Sequence, residues 1–253
     1  MNKKYILLNE SLKAISEGNL NVLILVGEAG MSKTFNTLNF LNDNSIKHFY
    51  VNSYSTPLSF YELLYKNSDK EVIVFDDVSS IGNPLIVSLL KSCCWNSNKK
   101  KIVSYYSTSK VLAERGLPES FEFNANVILI FNEEIKGYAS VINRGLKISL
   151  NFNFLDKLKI FEEVKEKANI DEEVLDYIKE NCNEATQNLS VRTLVILSQL
   201  KEKGYDFRLF AEEMLVKKEE IELLRDLNYK DWSKETGKSM KTYYRLRKKY
   251  GLN

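Results

Sequence analysis

Nearly unbroken apolar runs, each closed by polar or turn residues, mark the first 150 positions of the chain. Leu20-Asn-Val-Leu-Ile-Leu-Val26, Glu71-Val-Ile-Val-Phe75, Val127-Ile-Leu-Ile-Phe131 and Leu146-Lys-Ile-Ser-Leu150 have the β-branched, continuous apolar character of strands buried on both faces of a parallel sheet. His48-Phe-Tyr-Val-Asn52 reads as a shorter strand. Between the runs, apolar residues fall at helical spacing: 1–19 (Leu7, Leu8, Leu12, Ile15), 33–41, 58–65 and 84–95. Strand–helix alternation of this kind predicts an α/β fold in which helices sandwich a parallel sheet. The stretch 101–125 breaks the rhythm. Lys101-Ile-Val-Ser-Tyr-Tyr-Ser107 and Ser120-Phe-Glu-Phe-Asn124 both read as strands, joined by a Gly-containing connector, so a hairpin-like insertion is expected. After about residue 153 the pattern is only helical, with segments at 155–167, 171–181, 191–203, 207–215 and 219–227. The expected organisation is an α/β domain at 1–153, a small all-α lid at 154–217 and a C-terminal extension at 218–253.

Composition adds limits. The chain has 253 residues, 44% hydrophobic and 28% charged, with only 3 Pro and 10 Gly, which suits ordered domains and leaves no low-complexity linker. No apolar run approaches the roughly 18–20 residues of a membrane span. Ile6-Leu7-Leu8 is too short for a signal-peptide core, so a cytoplasmic protein with no membrane partner is expected. The three cysteines (Cys93, Cys94, Cys182) and the single His48 have neither disulfide nor zinc spacing and read as structural.

The chemistry concentrates at Gly27-Glu-Ala-Gly-Met-Ser-Lys-Thr34, set between a buried strand and a helix. The phosphate-loop pattern G-x-x-x-x-G-K-[ST] turns backbone N–H groups onto phosphates at a helix N-terminus. Gly27, Glu28, Ala29, Gly30, Met31, Ser32, Lys33 and Thr34 are therefore the expected ATP-binding loop. Lys33 reaches the β- and γ-phosphates, and the Thr34 hydroxyl meets Mg2+. Ser32 stands where the second motif glycine belongs, and serine is more restricted in backbone angle. Asp76 and Asp77 follow four apolar strand residues. Asp76 is expected to hold the metal shell, and Asp77 to orient or deprotonate the attacking water.

With these two motifs, residues 15 to 215 resemble the AAA+ ATPases. The resemblance implies that Asn132, directly after a buried strand, is the polar sensor. It further implies that Arg144 is an arginine finger and that Arg192, opening a lid helix, is a second sensor reaching the γ-phosphate. The Asp-Asp pair, with an insertion before the sensor strand, is similar to viral superfamily 3 helicases and related phage or plasmid ATPases.

Charge is uneven. From Tyr229 to Asn253 eight basic residues face two acidic ones, +6, while the remaining 28 basic and 32 acidic residues give −4. A basic end on a weakly acidic body suggests an anionic partner. A helix to about Thr236, a turn at Gly237 and a helix over 239–250 resemble a helix-turn-helix. Lys241 and Thr242 would then lie in the groove, and Arg245, Lys248 and Lys249 on phosphates. A tail that docks on a neighbouring subunit or an acidic partner is the alternative. In the insertion, Lys110 and Arg115 are further nucleic-acid candidates, with a plain surface loop equally open. The expected activity is Mg2+-dependent ATP hydrolysis acting on DNA in a homo-oligomer, a hexameric ring. The role would be that of a replication helicase or helicase loader of a virus, phage or plasmid, with a replicative helicase or other replication protein as a further partner. The alternatives are an ATP-controlled DNA-binding switch of the transposition-regulator type and a protein-remodelling adaptor.

Overall fold

The computed structural model describes residues 2–252 except 53–54, 79–82, 95–99, 108–109, 134–140, 142, 185, 217 and 237; the side chains of 218–221, 234, 235 and 249 also fall outside the description. The turn residue Gly237 and the Lys249 side chain are therefore not described. The chain divides into two compact units, Met1–Asn151 and Phe152–Asn253.

In the first unit five strands form one sheet in the order β2-β3-β6-β1-β7. They are β1 (Val22–Val26), β2 (His48–Val51), β3 (Val72–Asp76), β6 (Asn126–Phe131) and β7 (Leu146–Ser149), and every pairing is parallel. β1 is flanked on both sides and all five of its residues are buried. That burial explains its unbroken apolar sequence, since both faces are covered. The helix α1 (Lys3–Ser16) precedes β1, and α2 (Lys33–Asp43), α3 (Pro57–Lys66) and α4 (Pro84–Cys94) follow β1, β2 and β3 in sequence. Side chains start α1 and α3: Asn2 accepts from the Lys4 N–H, and Thr56, followed by Pro57, accepts from the Ser59 N–H. One face of the sheet packs Ile24, Ile73, Phe75 and Leu129 with Phe60 and Leu64 of α3 and Ile86 and Leu90 of α4.

The insertion forms a separate two-stranded antiparallel sheet, β4 (Ile102–Ser104) with β5 (Ser120–Glu122). The single-turn helix α5 (Val111–Glu114) lies in the connector. Aromatic packing holds it: Phe121 meets Tyr61 and Tyr65 of α3 at ring-centroid distances of 5.3 Å each, and the Tyr61 hydroxyl donates to the Pro118 carbonyl at 2.7 Å. Lys101, at the base of β4, is buried and donates to the Ala125 carbonyl at 2.5 Å.

The second unit is helical: α6 (Phe154–Val164), α7 (Glu172–Asn181), α8 (Val191–Glu202), α9 (Phe207–Met214), α10 (Lys218–Asp226), α11 (Tyr229–Thr236) and α12 (Met240–Lys249). Asn153, Asp171, Ser190 and Asp206 cap the first four through their side chains, a sequence signal for helix starts. The last three helices gather Leu224, Trp232, Tyr243 and Leu246 into a cluster of their own, with Leu227, Tyr229 and Tyr250 packed against it. The basic C-terminal segment thus has a small core made with α10.

Gly145 sits where β7 begins. A Cβ there would lie 2.7 Å from both the Val22 carbonyl oxygen and the Val22 Cβ. Gly145→Ala is therefore expected to push β7 off β1 and to cost about 1–3 kcal/mol, the range for overpacking a filled site. Chemical denaturation compared with the parent measures this, and an unchanged midpoint would contradict the close approach.

Candidate functional site

Three strands deliver the site. β1 pairs with β6 so that Val26 lies opposite Phe131, and β3 pairs with β6 so that Asp76 lies opposite Ile130. The residues just past the three strand ends, Gly27, Asp77 and Asn132, consequently emerge side by side. Backbone bonds fix the first two: Gly27 N–H donates to the Phe131 carbonyl at 3.2 Å and Asp77 N–H to the Ile130 carbonyl at 3.1 Å. Gly27 also has no room for a side chain, since a Cβ would lie 2.4 Å from the Leu150 carbonyl oxygen.

From Gly27 the loop turns into α2. Gly30 has φ 74°. Ser32 has φ 57° and ψ 21°, left-handed, and its side chain makes no capping bond. This position wants glycine for its backbone angle, and serine holds it at a cost of about 1–2 kcal/mol. Met31 is fully buried, and its carbonyl accepts a 2.9 Å bond from the Tyr5 hydroxyl of α1, so α1 supports the loop from outside.

Lys33, the first residue of α2, is 5% exposed. Its Nζ donates to the Gly27 carbonyl at 2.7 Å, the Glu28 carbonyl at 2.8 Å and Asn132 Oδ1 at 3.0 Å. The Asn132 amide nitrogen in turn donates to the Asp77 carboxylate. Asp77 has φ 47°, a left-handed angle that Asp tolerates better than most residues. Lost hydration, and then the neighbouring Asp76 charge, raise its carboxyl pKa above the ordinary value, while Lys33 and Asn132 pull it the other way. Beside this chain Thr34 Oγ1 donates to Asp76 Oδ2 at 2.7 Å.

The loop and Lys33 suit a chain of phosphates. Thr34 and Asp76 offer hard oxygen donors, which fit Mg2+ and not a soft metal. Among the described residues no group of three or more His, Cys, Asp or Glu could hold a metal ion by itself.

The other candidates make no hydrogen bond to this cluster that the structure records among the described residues. Arg144 precedes β7, at the sheet end where the parallel strands begin. Each residue of strand rises about 3.3 Å, so β7 separates it from its own loop by roughly 15 Å. Arg192 is exposed in the first turn of α8, in the second unit. Lys110 is exposed, and Arg115 donates to Glu62 of α3 at 2.8 Å. On α12, Lys241, Arg245 and Lys248 are exposed on one side, with Met240 and Tyr244 (50% and 55% exposed) among them. Thr242 is half-buried and bonded to the Ser239 hydroxyl at 3.0 Å. Tyr243 and Leu246 are buried. Arg247 turns inward, donating to the Leu224 carbonyl at 2.7 Å and the Tyr243 hydroxyl at 3.2 Å.

Tyr50 escaped the sequence reading. Its hydroxyl donates to Asp76 Oδ2 at 2.8 Å. The signal was the two-residue strand period, which puts Tyr50, Val74 and Asp76 on one face once β2 is paired with β3.

No protein-family model matches the chain. Among curated proteins it is similar to an uncharacterized 36.7 kDa protein from the nrdC-mobD intergenic region of Enterobacteria phage T4. The two are 27% identical over 166 residues, 64% of this chain, and the chain spans 50% of that relative's length. Among solved structures, the RuvB Holliday junction branch migration motor of Thermotoga maritima gives a TM-score of 0.53 at 12% identity, over 93% of this chain and 81% of that one. A mutant of the same RuvB gives 0.54 at 12% identity, over 94% and 83%. The five-stranded parallel sheet with flanking helices is the fold of the P-loop AAA+ ATPases.

The raised pKa of Asp77 has a consequence for stability. A carboxyl whose folded pKa exceeds its unfolded value makes the native state hold protons more tightly. Stability then falls as pH rises from the ordinary value through the folded one, and the deficit persists at neutral pH. Asp77→Asn removes that deficit. The variant is expected to melt above the parent near neutral pH, and its advantage is expected to shrink as pH drops below the ordinary carboxylate value of about 4. Thermal unfolding without nucleotide across this range checks it, and a variant that melts lower at neutral pH would contradict the cause assigned.

Proposed function

We propose that the chain is a Mg2+-dependent ATPase that acts on DNA as a homo-oligomer. The observation that carries this reading is the assembly, at three adjacent strand ends, of the Lys33–Asn132–Asp77 chain beside the Thr34–Asp76 pair. In this reading Lys33 leaves two neutral carbonyls and an amide for phosphate oxygens, an exchange favoured because a negatively charged acceptor attracts the ammonium more strongly than a neutral one. Thr34 and Asp76 would hold Mg2+, which would supply neutralisation of phosphate charge. Asp77 accepts the proton of the attacking water, and Asn132, released by Lys33, orients that water. Arg144 lies too far from its own loop to serve it, so we assign it to a neighbouring subunit's nucleotide, and Arg192 to the γ-phosphate from the lid. An arrangement in which one subunit completes the next favours a closed ring, a hexamer in our reading.

DNA is proposed as the substrate because α12 separates its charges. Arg247 serves the small core, while Lys241, Arg245 and Lys248 lie exposed together, as a helix presented to phosphates requires. The insertion supports this less well, since Arg115 is paired with Glu62. The similarity to a phage protein and the fold shared with a branch-migration motor support a role in phage-type replication, as helicase or helicase loader. Steady-state strand unwinding separates that role from an ATP-controlled DNA switch.

Lys33→Ala is expected to abolish hydrolysis, and Arg144→Ala to bind ATP normally while losing about 10³ to 10⁵ in rate, the contribution of arginine fingers in other P-loop enzymes. Mixing the two variants restores part of the activity, because each supplies what the other lacks. Phosphate release over a range of mixing ratios measures this. Stable mixed oligomers without recovery would remove Arg144 from the finger role.

The double change Arg245→Ala and Lys248→Ala is expected to flatten the log–log salt dependence of duplex binding by about two units, near 0.9 per phosphate contact. Basal ATP hydrolysis is expected to stay unchanged. Fluorescence anisotropy at several salt concentrations reads the slope, and an unchanged slope would move the DNA contact off α12.

A further inference from the structure

Asp76 accepts two hydroxyl bonds on the same oxygen. Thr34 Oγ1 reaches Oδ2 at 2.7 Å from α2, and the Tyr50 hydroxyl reaches it at 2.8 Å from β2. The two donors have different geometry behind them. Thr34 is part of the phosphate loop, and its oxygen can keep its proton on Asp76 while a lone pair faces a cation. Tyr50 stands on the edge strand of the sheet. Tyr50 is opposite Val74 in the β2–β3 register, so Asp76 is its diagonal neighbour, two residues on and on the same face. Such neighbours lie about 7–8 Å apart at Cα, a gap an aromatic side chain can close. Asp76 Oδ1 makes no hydrogen bond to a described residue.

We propose that Tyr50 is a positioning residue of the magnesium centre: its hydroxyl clamps Oδ2 of Asp76 so that the other carboxylate oxygen is presented to the Mg2+ shell. This rests on the nucleotide-site reading above and goes beyond it, since the phosphate-loop and acidic-pair motifs do not include Tyr50. The physical reason is pre-organisation. An aspartate at the end of a strand, bonded only to Thr34, could rotate about its two side-chain torsions. A second donor arriving from a different strand fixes the carboxylate plane before any cation arrives. Groups that orient metal ligands in this way contribute about 10- to 100-fold to metal affinity or activity in other proteins.

The phenol is suited to the task because its hydroxyl is the donor in this bond, reaching Oδ2 at 2.8 Å.

The test is Tyr50→Phe, which keeps the ring and removes one oxygen. Binding of a fluorescent ADP analogue is measured as Mg2+ is titrated, and again in EDTA, for the parent, Tyr50→Phe and Asp76→Asn. The parent is expected to bind more tightly with Mg2+. Tyr50→Phe should need about ten times more Mg2+ for half of that gain, and its affinity in EDTA should match the parent's. Asp76→Asn should lose most of the gain. A Tyr50→Phe titration that overlays the parent's, beside a responsive parent, would overturn the role of Tyr50 and leave the site reading intact. Equal weakening with and without Mg2+ would also overturn it, because that pattern belongs to a purely structural side chain. A parent whose ADP affinity ignores Mg2+ would overturn the site reading and this inference together.

Discussion

Three parallel strands that end at the same height are the constraint on which the rest depends. β1, β6 and β3 are neighbours in register, so Gly27, Asn132 and Asp77 leave the sheet within one residue of the same level. The pairing brings together residues that lie 50 (Gly27 to Asp77) and 105 (Gly27 to Asn132) positions apart in sequence. The register is held by unbroken apolar strands buried on both faces, where slippage by one residue would move every side chain to the opposite face. The sheet also sustains local strain. Ser32 and Asp77 both occupy left-handed backbone, at about 1–2 kcal/mol each for ordinary residues. Such residues persist where the surrounding structure over-determines the backbone: Ser32 sits between the loop and the first residue of α2, and Asp77 is tied by its N–H to the Ile130 carbonyl.

The electrostatics follow from that convergence. Lys33 is a buried ammonium satisfied by two carbonyls and an amide oxygen, and Asp77 is joined to it through Asn132, while Asp76 is bonded by Thr34 and Tyr50. Asn132 is the joint: its oxygen accepts from the cation and its nitrogen donates to Asp77. One amide group thereby bridges Lys33 and Asp77. Lys33 is held in the network by neutral acceptors, which attract an ammonium less than a charged phosphate oxygen would. It can therefore be organised without being locked.

The sheet and the loop were legible because their signals are local. Continuous apolar runs mark buried parallel strands, and the spacing Gly27 to Thr34 marks the loop. Strand limits were right to within one or two residues, as at Glu71-to-Phe75 against the observed Val72–Asp76. What the sequence could not reveal depends on strand order. Tyr50 finds Asp76 only because β2 pairs with β3, and Tyr5 finds the Met31 carbonyl only because α1 packs beside the loop. The basic residues illustrate the same limit. Arg115 and Arg247 look like Arg245 in the sequence, yet Glu62 takes the first and the Leu224 carbonyl the second. Charge counts locate a basic segment, but only packing tells which charges remain on its surface.

The parallel sheet also gives the first unit a direction. Every strand ends at the loop and begins at the opposite edge, where Arg144 precedes β7. An arginine at that edge and a phosphate loop at the other cannot meet within one chain without unfolding β7. If Arg144 serves a nucleotide, it serves that of a second copy, and the contact joins two different surfaces. Contacts of that kind do not close as a two-fold pair; repeated, they close into rings or extend as filaments. The same strand alignment that assembles the pocket therefore makes higher-order assembly the geometry consistent with Arg144 acting in catalysis.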